Sequence, residues 1–260
     1  MRVLHIKATW GVPGNLDQQI AKIKAAGYDG FEEWVKPHHE IGPLVAKHGI
    51  RFVGIVSGDN PEQFKRDLGE LVDSGAMQAT VHCGSSTMTF QQGMDHLGKL
   101  VEVTKQVSIP VNFETHRGRL LYEPNSTYEY LKAHPDLYLC ADFSHWTCVT
   151  ETMLGNFKDQ LELAIQRTRH IHARVGFEEG PQVPDPRVKQ WEGYVNAFEA
   201  IWDRIKAAHE KRGARFMTVD PEFGPPNYQW TDPKTGQPLA DIWEVSQWIT
   251  DRLRARWKSA

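Results

Sequence analysis

Four side chains that can bind a metal ion end four separate apolar runs of the chain: Glu114, Asp142, His172 and Glu222. The runs read SIPVNFETH, DLYLCADFSH, RHIHARVG and RFMTVDPEFG, and each has the apolar content of a short buried strand. In a closed parallel barrel the C-terminal ends of all strands face one mouth, so the four side chains would meet there. Three carboxylates and one imidazole suit one Mn²⁺, Co²⁺, Mg²⁺ or Zn²⁺ ion rather than a thiolate-bound metal.

Further polar groups should share the faces of these ligands, because side chains alternate in direction along a strand. They are Asn112, His116, Tyr138, His170, Arg174 and Asp220. Buried polar groups are costly unless they are paired or bind a metal, so the pattern favours a polar centre inside the barrel. His170 and His172 point the same way. His172 lies nearer the mouth and is the predicted ligand, with His170 as the alternative.

Strand-like and helix-like stretches alternate along the whole chain, which predicts an α/β fold, a single (β/α)8 TIM barrel over residues 1–260. The four earlier strands read VLHIKA, GYDGFEEW, RFVGIVSG and MQATVHCG. The predicted helices are Leu16–Ala26, Ile41–Lys47, Pro61–Ser74, Gln91–Gln106, Thr127–Ala133, Asn156–Thr168, Trp191–Arg212 and Ile242–Trp257. An open doubly wound sheet has the same alternation and is the alternative, although no GxGxxG or GxxxxGKS/T fingerprint supports it.

The composition is that of an ordinary globular protein, with 40% hydrophobic and 24% charged residues among 260. A formal net charge of −3 gives no basis for binding nucleic acid or an anionic membrane. No apolar run approaches the ~18 residues of a membrane helix, and the N-terminal stretch lacks the apolar core of a signal peptide. We therefore expect a cytoplasmic protein without a membrane or nucleic-acid partner.

Three cysteines, Cys83, Cys140 and Cys148, show no CxxC spacing and are expected to be reduced thiols. Tryptophans on the predicted outer helices can pack on the barrel or on a second subunit, so a homo-oligomer remains one of the alternatives. These are Trp202, Trp243, Trp248 and Trp257.

Other side chains are weaker candidates for the mouth. Glu32 could face it from the second strand, with a structural role as the alternative, and His38 and His39 are expected in a solvated loop. Three tryptophans follow strand ends, where an aromatic ring can pack on the apolar face of a sugar: Trp10, Trp34 and Trp146.

The motifs FETH, DFSH, HIHARVG and DPEFG, in this order, resemble the xylose isomerase-like TIM-barrel superfamily. That superfamily contains sugar-phosphate isomerases and epimerases, ketose 3-epimerases, hydroxypyruvate isomerase, inosose dehydratase and endonuclease IV. The resemblance implies that Glu114, Asp142, His172 and Glu222 hold one divalent ion. It also implies that the two glutamates flank the substrate carbon as acid and base.

The same resemblance nominates side chains that contact a small carbohydrate substrate. His145, three residues after the aspartate, and His82, which ends the fourth strand, match histidines that contact substrate. Ketose 3-epimerases carry an arginine after the histidine of strand seven, for which Arg174 and Arg187 are the candidates here. Arg117 could bind an anionic group of the substrate, or form a salt bridge in its loop.

The predicted function is a divalent-metal sugar isomerase or epimerase that works through an enediolate. A lyase or dehydratase could use the same site. A phosphodiesterase of the endonuclease IV type is an alternative of another class, but Asp185-Pro186-Arg187 stands where a further Asp-x-His zinc pair would be needed. A sugar-binding barrel without catalysis is the remaining alternative.

Overall fold

The computed structural model describes residues 1–258 and contains a closed barrel of eight parallel strands, paired in chain order. The strands are β1 (Arg2–Ala8), β2 (Gly30–Trp34), β3 (Arg51–Ser57), β4 (Gln78–His82), β5 (Val111–Glu114), β6 (Leu139–Ala141), β7 (Thr168–His172) and β8 (Phe216–Asp220). Pairing of β1 with β8 closes the barrel and sets Leu4 opposite Thr218. The predicted (β/α)8 barrel is confirmed, and the open doubly wound sheet is excluded.

Nine α-helices surround the barrel within residues 1–258, one more than predicted, with a short 3-10 helix at Lys189–Trp191. The helices are α1 (Leu16–Ala25), α2 (His38–His48), α3 (Pro61–Asp73), α4 (Phe90–Thr104), α5 (Pro124–Ala133), α6 (Phe143–Thr150), α7 (Lys158–Arg167), α8 (Glu192–Lys211) and α9 (Ile242–Arg256). Because α2 begins at His38, the loop predicted for His38 and His39 was wrong. No helix in this part of the chain is long and apolar enough to cross a membrane.

Side-chain caps explain where several helices begin. Asn15 and Gln18 form a reciprocal capping box at the start of α1, and Thr89 and Gln92 form another at the start of α4. The unpaired amides of the first helical turn are thereby satisfied. At the other end of α2, Gly49 adopts φ 57°, a left-handed conformation that glycine reaches without strain, and the chain turns into β3.

Apolar side chains pack on both sides of the barrel wall. The larger core lies between the strands and the helices and includes the stacked rings of Phe31 and Phe52, whose centroids are 5.0 Å apart. A small cluster inside the barrel consists of Leu4, Ile6, Val53 and Met77. Other interior side chains are polar, and some of them are paired, as where Gln78 Nε2 donates to Thr218 Oγ1 at 2.9 Å. The wall is thus held from outside by apolar packing, and its interior is free to carry polar groups.

A buried histidine on α8 should make the fold sensitive to acid. The His209 side chain is 2% exposed and Nδ1 donates to the Ile205 carbonyl at 3.0 Å, and burial lowers the pKa of His209 to about 4. The folded state therefore holds fewer protons than the unfolded state between about pH 4 and 6.5. The contribution of the neutral ring is complete above pH 6.5 and is lost as the pH falls towards 4, by about 3 kcal/mol.

We expect the free energy of unfolding of His209→Gln, measured with urea from pH 7 to 4.5, to fall less steeply than that of the wild type. His39→Gln is the matched control, because its side chain is exposed and should leave the pH dependence unchanged. Parallel curves for wild type and His209→Gln would contradict the assignment.

Candidate active site

The structure brings the four predicted metal ligands together at the C-terminal mouth of the barrel. Glu114 is the last residue of β5, Asp142 follows β6 directly, His172 ends β7 and Glu222 lies two residues beyond β8. One ligand atom from each residue lies within 4.8 Å of those of the other three. Parallel strands that end at the same rim are what position these distant residues around one point.

The His172 ring is the centre of this group. Its Nδ1 lies 3.2 Å from Glu114 Oε1 and 3.0 Å from Glu222 Oε2. Metal–ligand bonds of roughly 2.0–2.2 Å that meet at right angles place neighbouring ligand atoms about 3 Å apart. The nitrogen and the two carboxylates are therefore spaced as ligands of one ion would be.

Glu32, a weak candidate from the sequence, orients this imidazole from the opposite side of the barrel. Glu32 Oε2 lies 2.9 Å from His172 Nε2, and Glu32 Oε1 accepts from Thr80 Oγ1 at 2.6 Å. A proton on Nε2 that is donated to Glu32 leaves Nδ1 available to a metal, which is the usual role of a carboxylate behind a histidine ligand. The acidic residue on an inward position of β2 was the available sequence signal, but its partner on β7 was not predictable.

Loss of this carboxylate should weaken the metal site without removing a ligand. We expect Glu32→Gln to bind Mn²⁺ about 10–100-fold more weakly than wild type, as measured by isothermal titration calorimetry. Glu33→Gln is the control, because the neighbouring Glu33 carboxylate accepts from Thr9 Oγ1 at 2.6 Å and does not contact His172 in the structure. Equal Mn²⁺ affinity in Glu32→Gln and wild type would contradict this role.

Asp142 and Glu222 share a buried arginine. Arg174 Nη2 donates to Glu222 Oε2 at 2.6 Å and lies 3.1 Å from Asp142 Oδ2, while Asp142 Oδ1 accepts from Ser144. The Arg174 side chain is 1% exposed, and its Nε and Nη1 atoms have no hydrogen-bond partner. Arg174 lies two residues beyond His172, the last residue of β7, so it lies next to His172 on the side of the mouth of the barrel.

Carboxylates outnumber lysine and arginine side chains in the centre. It holds five carboxylates and two side chains that are ordinarily cationic: Glu32, Glu114, Asp142, Asp220, Glu222, Lys7 and Arg174. Burial raises the pKa of Asp142 to about 7 against the attraction of Arg174, and raises that of Asp220 to about 8 against Lys7. Burial also opposes the ionisation of Glu114, but His82 and His172 hold its pKa well below the ordinary value.

The donor set fits a divalent ion. Asp142 Oδ2 and Glu114 Oε2 are buried and take part in no well-angled hydrogen bond, although Arg174 and His82 respectively lie close to them. Burial lowers the pKa of His172, but the carboxylates around it raise that pKa well above the ordinary value, so that metal binding must release a proton from the ring. Oxygen atoms from three carboxylates with one imidazole nitrogen suit Mn²⁺, Co²⁺, Mg²⁺ or Zn²⁺.

Three further histidines lie beside Glu114. His82 Nε2 contacts Glu114 Oε2, and this carboxylate raises the pKa of His82 although burial alone would lower it. The rings of His116 and His145 lie with centroids 4.0 Å apart. His145 is fully buried with no hydrogen bond to either ring nitrogen, and burial lowers its pKa well below the ordinary value. Although its ring nitrogens make no hydrogen bond, His145 does not line the cavity described below, whereas His82 and His116 do.

A cavity of about 490 Å³ opens over these groups, within the size range of small-molecule sites. Its walls include the aromatic rings of Trp10, Trp34 and Tyr228. Trp10 lies flat against Gly224, where a Cβ atom would come within 2.1 Å of the ring, so only glycine leaves room for it. Trp146 does not reach this cavity, because it is fully buried with Nε1 bonded to the Leu121 carbonyl.

The three predicted arginines are not equivalent. Arg174 lines the cavity, and the Arg117 guanidinium lies 5.1 Å from the Tyr228 ring centre, at the edge of the mouth. Arg187 is not brought to the cavity, since its guanidinium is bonded to Asp185 at 2.9 Å and to Glu244 at 3.1 Å. Arg119, which with Arg117 was a weaker candidate for binding an anionic group of the substrate, lines the cavity.

No protein-family model and no curated protein matches this sequence. Solved structures match it over nearly its whole length at low identity. A probable 3-DHS dehydratase from Bacillus anthracis, involved in petrobactin synthesis, is 14% identical with a TM-score of 0.65, over 97% of this chain and 98% of that one. An L-ribulose 3-epimerase is 14% identical with a TM-score of 0.63, over 100% and 99% of the two chains.

A third match carries a metal ion. A xylose isomerase-like TIM barrel protein from Mycobacterium smegmatis, in complex with magnesium, is 12% identical with a TM-score of 0.60, over 98% and 97% of the two chains. At such identities the comparison establishes the architecture alone. The fold of this chain is therefore a (β/α)8 TIM barrel, similar to the barrels of these three proteins.

Proposed function

We propose that this protein is a divalent-metal-dependent isomerase or epimerase of a small keto sugar or sugar phosphate. The observation that carries the proposal is the meeting of Glu114, Asp142, His172 and Glu222, with ligand atoms within 4.8 Å of one another, beside a cavity of about 490 Å³ that Glu114, His172 and Glu222 line. A divalent ion held by these four residues would polarise a substrate carbonyl and an adjacent hydroxyl, which acidifies the C–H bond between them.

Two glutamates of the site would carry out the proton transfer. Glu114 and Glu222 both approach His172 Nδ1, from β5 and from beyond β8. One carboxylate removes the proton from the carbon next to the carbonyl, and the electron pair of that C–H bond enters an enediolate. The other glutamate, which must first take up a proton from solvent, then gives that proton to the opposite face of the same carbon in an epimerase, or to the neighbouring carbon in an isomerase.

The protons of this pair can exchange with solvent through His82. This histidine contacts Glu114 and its side chain is 17% exposed, whereas Glu114 is 1% exposed. The His82 ring can therefore accept a proton from Glu114 and pass it to water. The neutral His116 ring and the three aromatic walls of the cavity suit an uncharged, hydroxyl-rich substrate body.

The test is turnover of keto sugars in D₂O by the Mn²⁺-loaded protein. Keto-pentoses, keto-hexoses and their phosphates are incubated and followed by NMR. We expect one of them to gain deuterium at the carbon next to the carbonyl and to yield an epimer or an isomer. A bound ion with no exchange and no product from any of these sugars would contradict the proposal. A product that has lost the mass of one water would instead assign a dehydratase to the same residues.

A metal-dependent nuclease is the weaker candidate of another class. It would need further zinc ligands near residues 185–187, and Arg187 there is an ion-paired cation that cannot ligate metal.

A further inference from the structure

Arg174 competes for the oxygens that a metal ion would need. Its Nη2 atom lies 2.6 Å from Glu222 Oε2 and 3.1 Å from Asp142 Oδ2, so one guanidinium nitrogen bridges two of the four candidate ligands. Glu222 Oε2 is also the oxygen nearest to His172 Nδ1, at 3.0 Å. The guanidinium thus contacts the same carboxylate edge that faces the ligand nitrogen.

Asp142 offers no easy alternative oxygen. Its Oδ1 accepts from the backbone N–H of Ser144 at 3.1 Å and also from the Ser144 hydroxyl, within the first turn of α6. Only Oδ2 faces the centre, and Arg174 lies against it. A divalent ion that binds both Asp142 Oδ2 and Glu222 Oε2 would compete with Nη2 for the position between them, because two cations that bridge the same pair of oxygens repel each other.

A place for the displaced guanidinium adjoins its present position. Arg174 Cζ lies 4.5 Å from the Tyr228 ring centre and 6.0 Å from that of Trp10, and all three residues line the cavity. The guanidinium already lies over the Tyr228 ring, and it can keep this contact and approach Trp10 when its ion pairs break. Its Nε and Nη1 atoms, which have no partner, would then be available to a ligand in the cavity.

We propose that Arg174 is a resident cation of this site, which a divalent ion displaces on binding and which then turns towards Tyr228 and Trp10 in the substrate cavity. This inference rests on the metal site of the proposed function and adds the order in which the ion and the substrate bind. The ion binds first, and its binding frees the guanidinium to hold an oxygen-rich or anionic substrate. Arg174 also lowers the affinity of the site for the ion, since part of the binding free energy is used to break its ion pairs.

The experiment compares Mn²⁺ binding, by isothermal titration calorimetry on chelator-stripped protein, in wild type, Arg174→Met and Arg174→Lys. We expect Arg174→Met to bind Mn²⁺ at least about tenfold more tightly than wild type, which corresponds to the loss of one competing charge-assisted hydrogen bond. Arg174→Lys should bind with intermediate affinity, because a compact ammonium bridges two carboxylates less well than a guanidinium. Arg119→Met is the control, since Arg119 lines the same cavity but pairs with Asp59 at 3.4 Å, outside the ligand set.

The unfolding temperature, measured with and without Mn²⁺, gives a second test. If Arg174 were merely structural, Mn²⁺ would raise this temperature equally in the variant and in the wild type. Without metal, Arg174→Met should unfold at a lower temperature than wild type, because Asp142 and Glu222 lose their buried cation. Saturating Mn²⁺ should close this gap, since the ion stabilises the variant more than the wild type. This measurement also yields the relative affinity if the stripped variant is too unstable for calorimetry.

Equal or weaker Mn²⁺ binding in both Arg174 variants, with an unfolding gap that Mn²⁺ leaves unchanged, would overturn the inference. That result would leave the proposed metal site intact. Failure of wild type, both Arg174 variants and Arg119→Met to bind Mn²⁺ would instead remove the metal site itself, and with it the proposed function.

Discussion

Asp142→Asn and His172→Ala are expected to abolish tight metal binding while the barrel stays folded. Each change removes a ligand from a set whose atoms lie within 4.8 Å of one another. Changes to groups behind the ligands typically cost about 10–100-fold in metal affinity or activity, so the loss of a ligand should cost at least as much. Metal content is measured by elemental analysis after gel filtration in buffer without metal, and affinity by calorimetry with Mn²⁺.

His170→Ala is the matched control for His172→Ala. Both rings are buried on β7 and their centroids lie 5.1 Å apart. His170 Nδ1, however, bonds with Thr218 Oγ1 at 2.8 Å, and its Nε2 lies 3.6 Å from Glu32. His170→Ala should therefore retain the ion. This result would distinguish His172 from His170 as the metal ligand, a choice that the sequence left open. Unchanged metal content in Asp142→Asn and His172→Ala would contradict the site.

That the four candidate ligands lie close together could be predicted from the sequence alone. A strand fixes the face of each side chain, and a parallel barrel fixes the rim at which all strands end. Glu114 and His172 are the terminal residues of β5 and β7, as their runs predicted. Asp142 follows its strand and caps the N-terminus of α6. This helix was not predicted, because eight residues are too few to show a helical period.

Contacts across the barrel could not be predicted in the same way. Glu32 and His172 are 140 residues apart, and their contact depends on closure of the barrel and on the register of every strand pair between β2 and β7. The position of Arg174 on the inner face was predictable, but its bridging of Asp142 and Glu222 depends on side-chain reach. Arg187 fails to reach the cavity for a local reason, because Asp185 two residues earlier holds its guanidinium.

Glu114→Gln and Glu222→Gln should each reduce kcat by about 10²–10⁴-fold, the usual contribution of a general acid or base. A metal ion favours the carboxylate form of a glutamate and so weakens it as a base, but the same ion acidifies the substrate proton. Both glutamates are already held as carboxylates, because burial, which opposes ionisation, is outweighed by His82 and His172 at Glu114 and by Arg174 and His172 at Glu222. Glutamine keeps the shape of the side chain but removes its negative charge and its ability to take up a proton.

Since both residues are also candidate ligands, Mn²⁺ occupancy is measured in each variant at the concentration used for the assay, so that lost metal is not mistaken for lost proton transfer. Glu33→Gln is the control, because Glu33 lines the same cavity without contacting His172. In D₂O, wild type and Glu33→Gln should wash deuterium into the carbon next to the carbonyl, and neither glutamine variant should do so at full Mn²⁺ occupancy. Turnover by the wild type with no deuterium incorporated, and with a C–H label that moves within the substrate, would assign a hydride shift instead. Glu114 and Glu222 would then serve the reaction only as metal ligands.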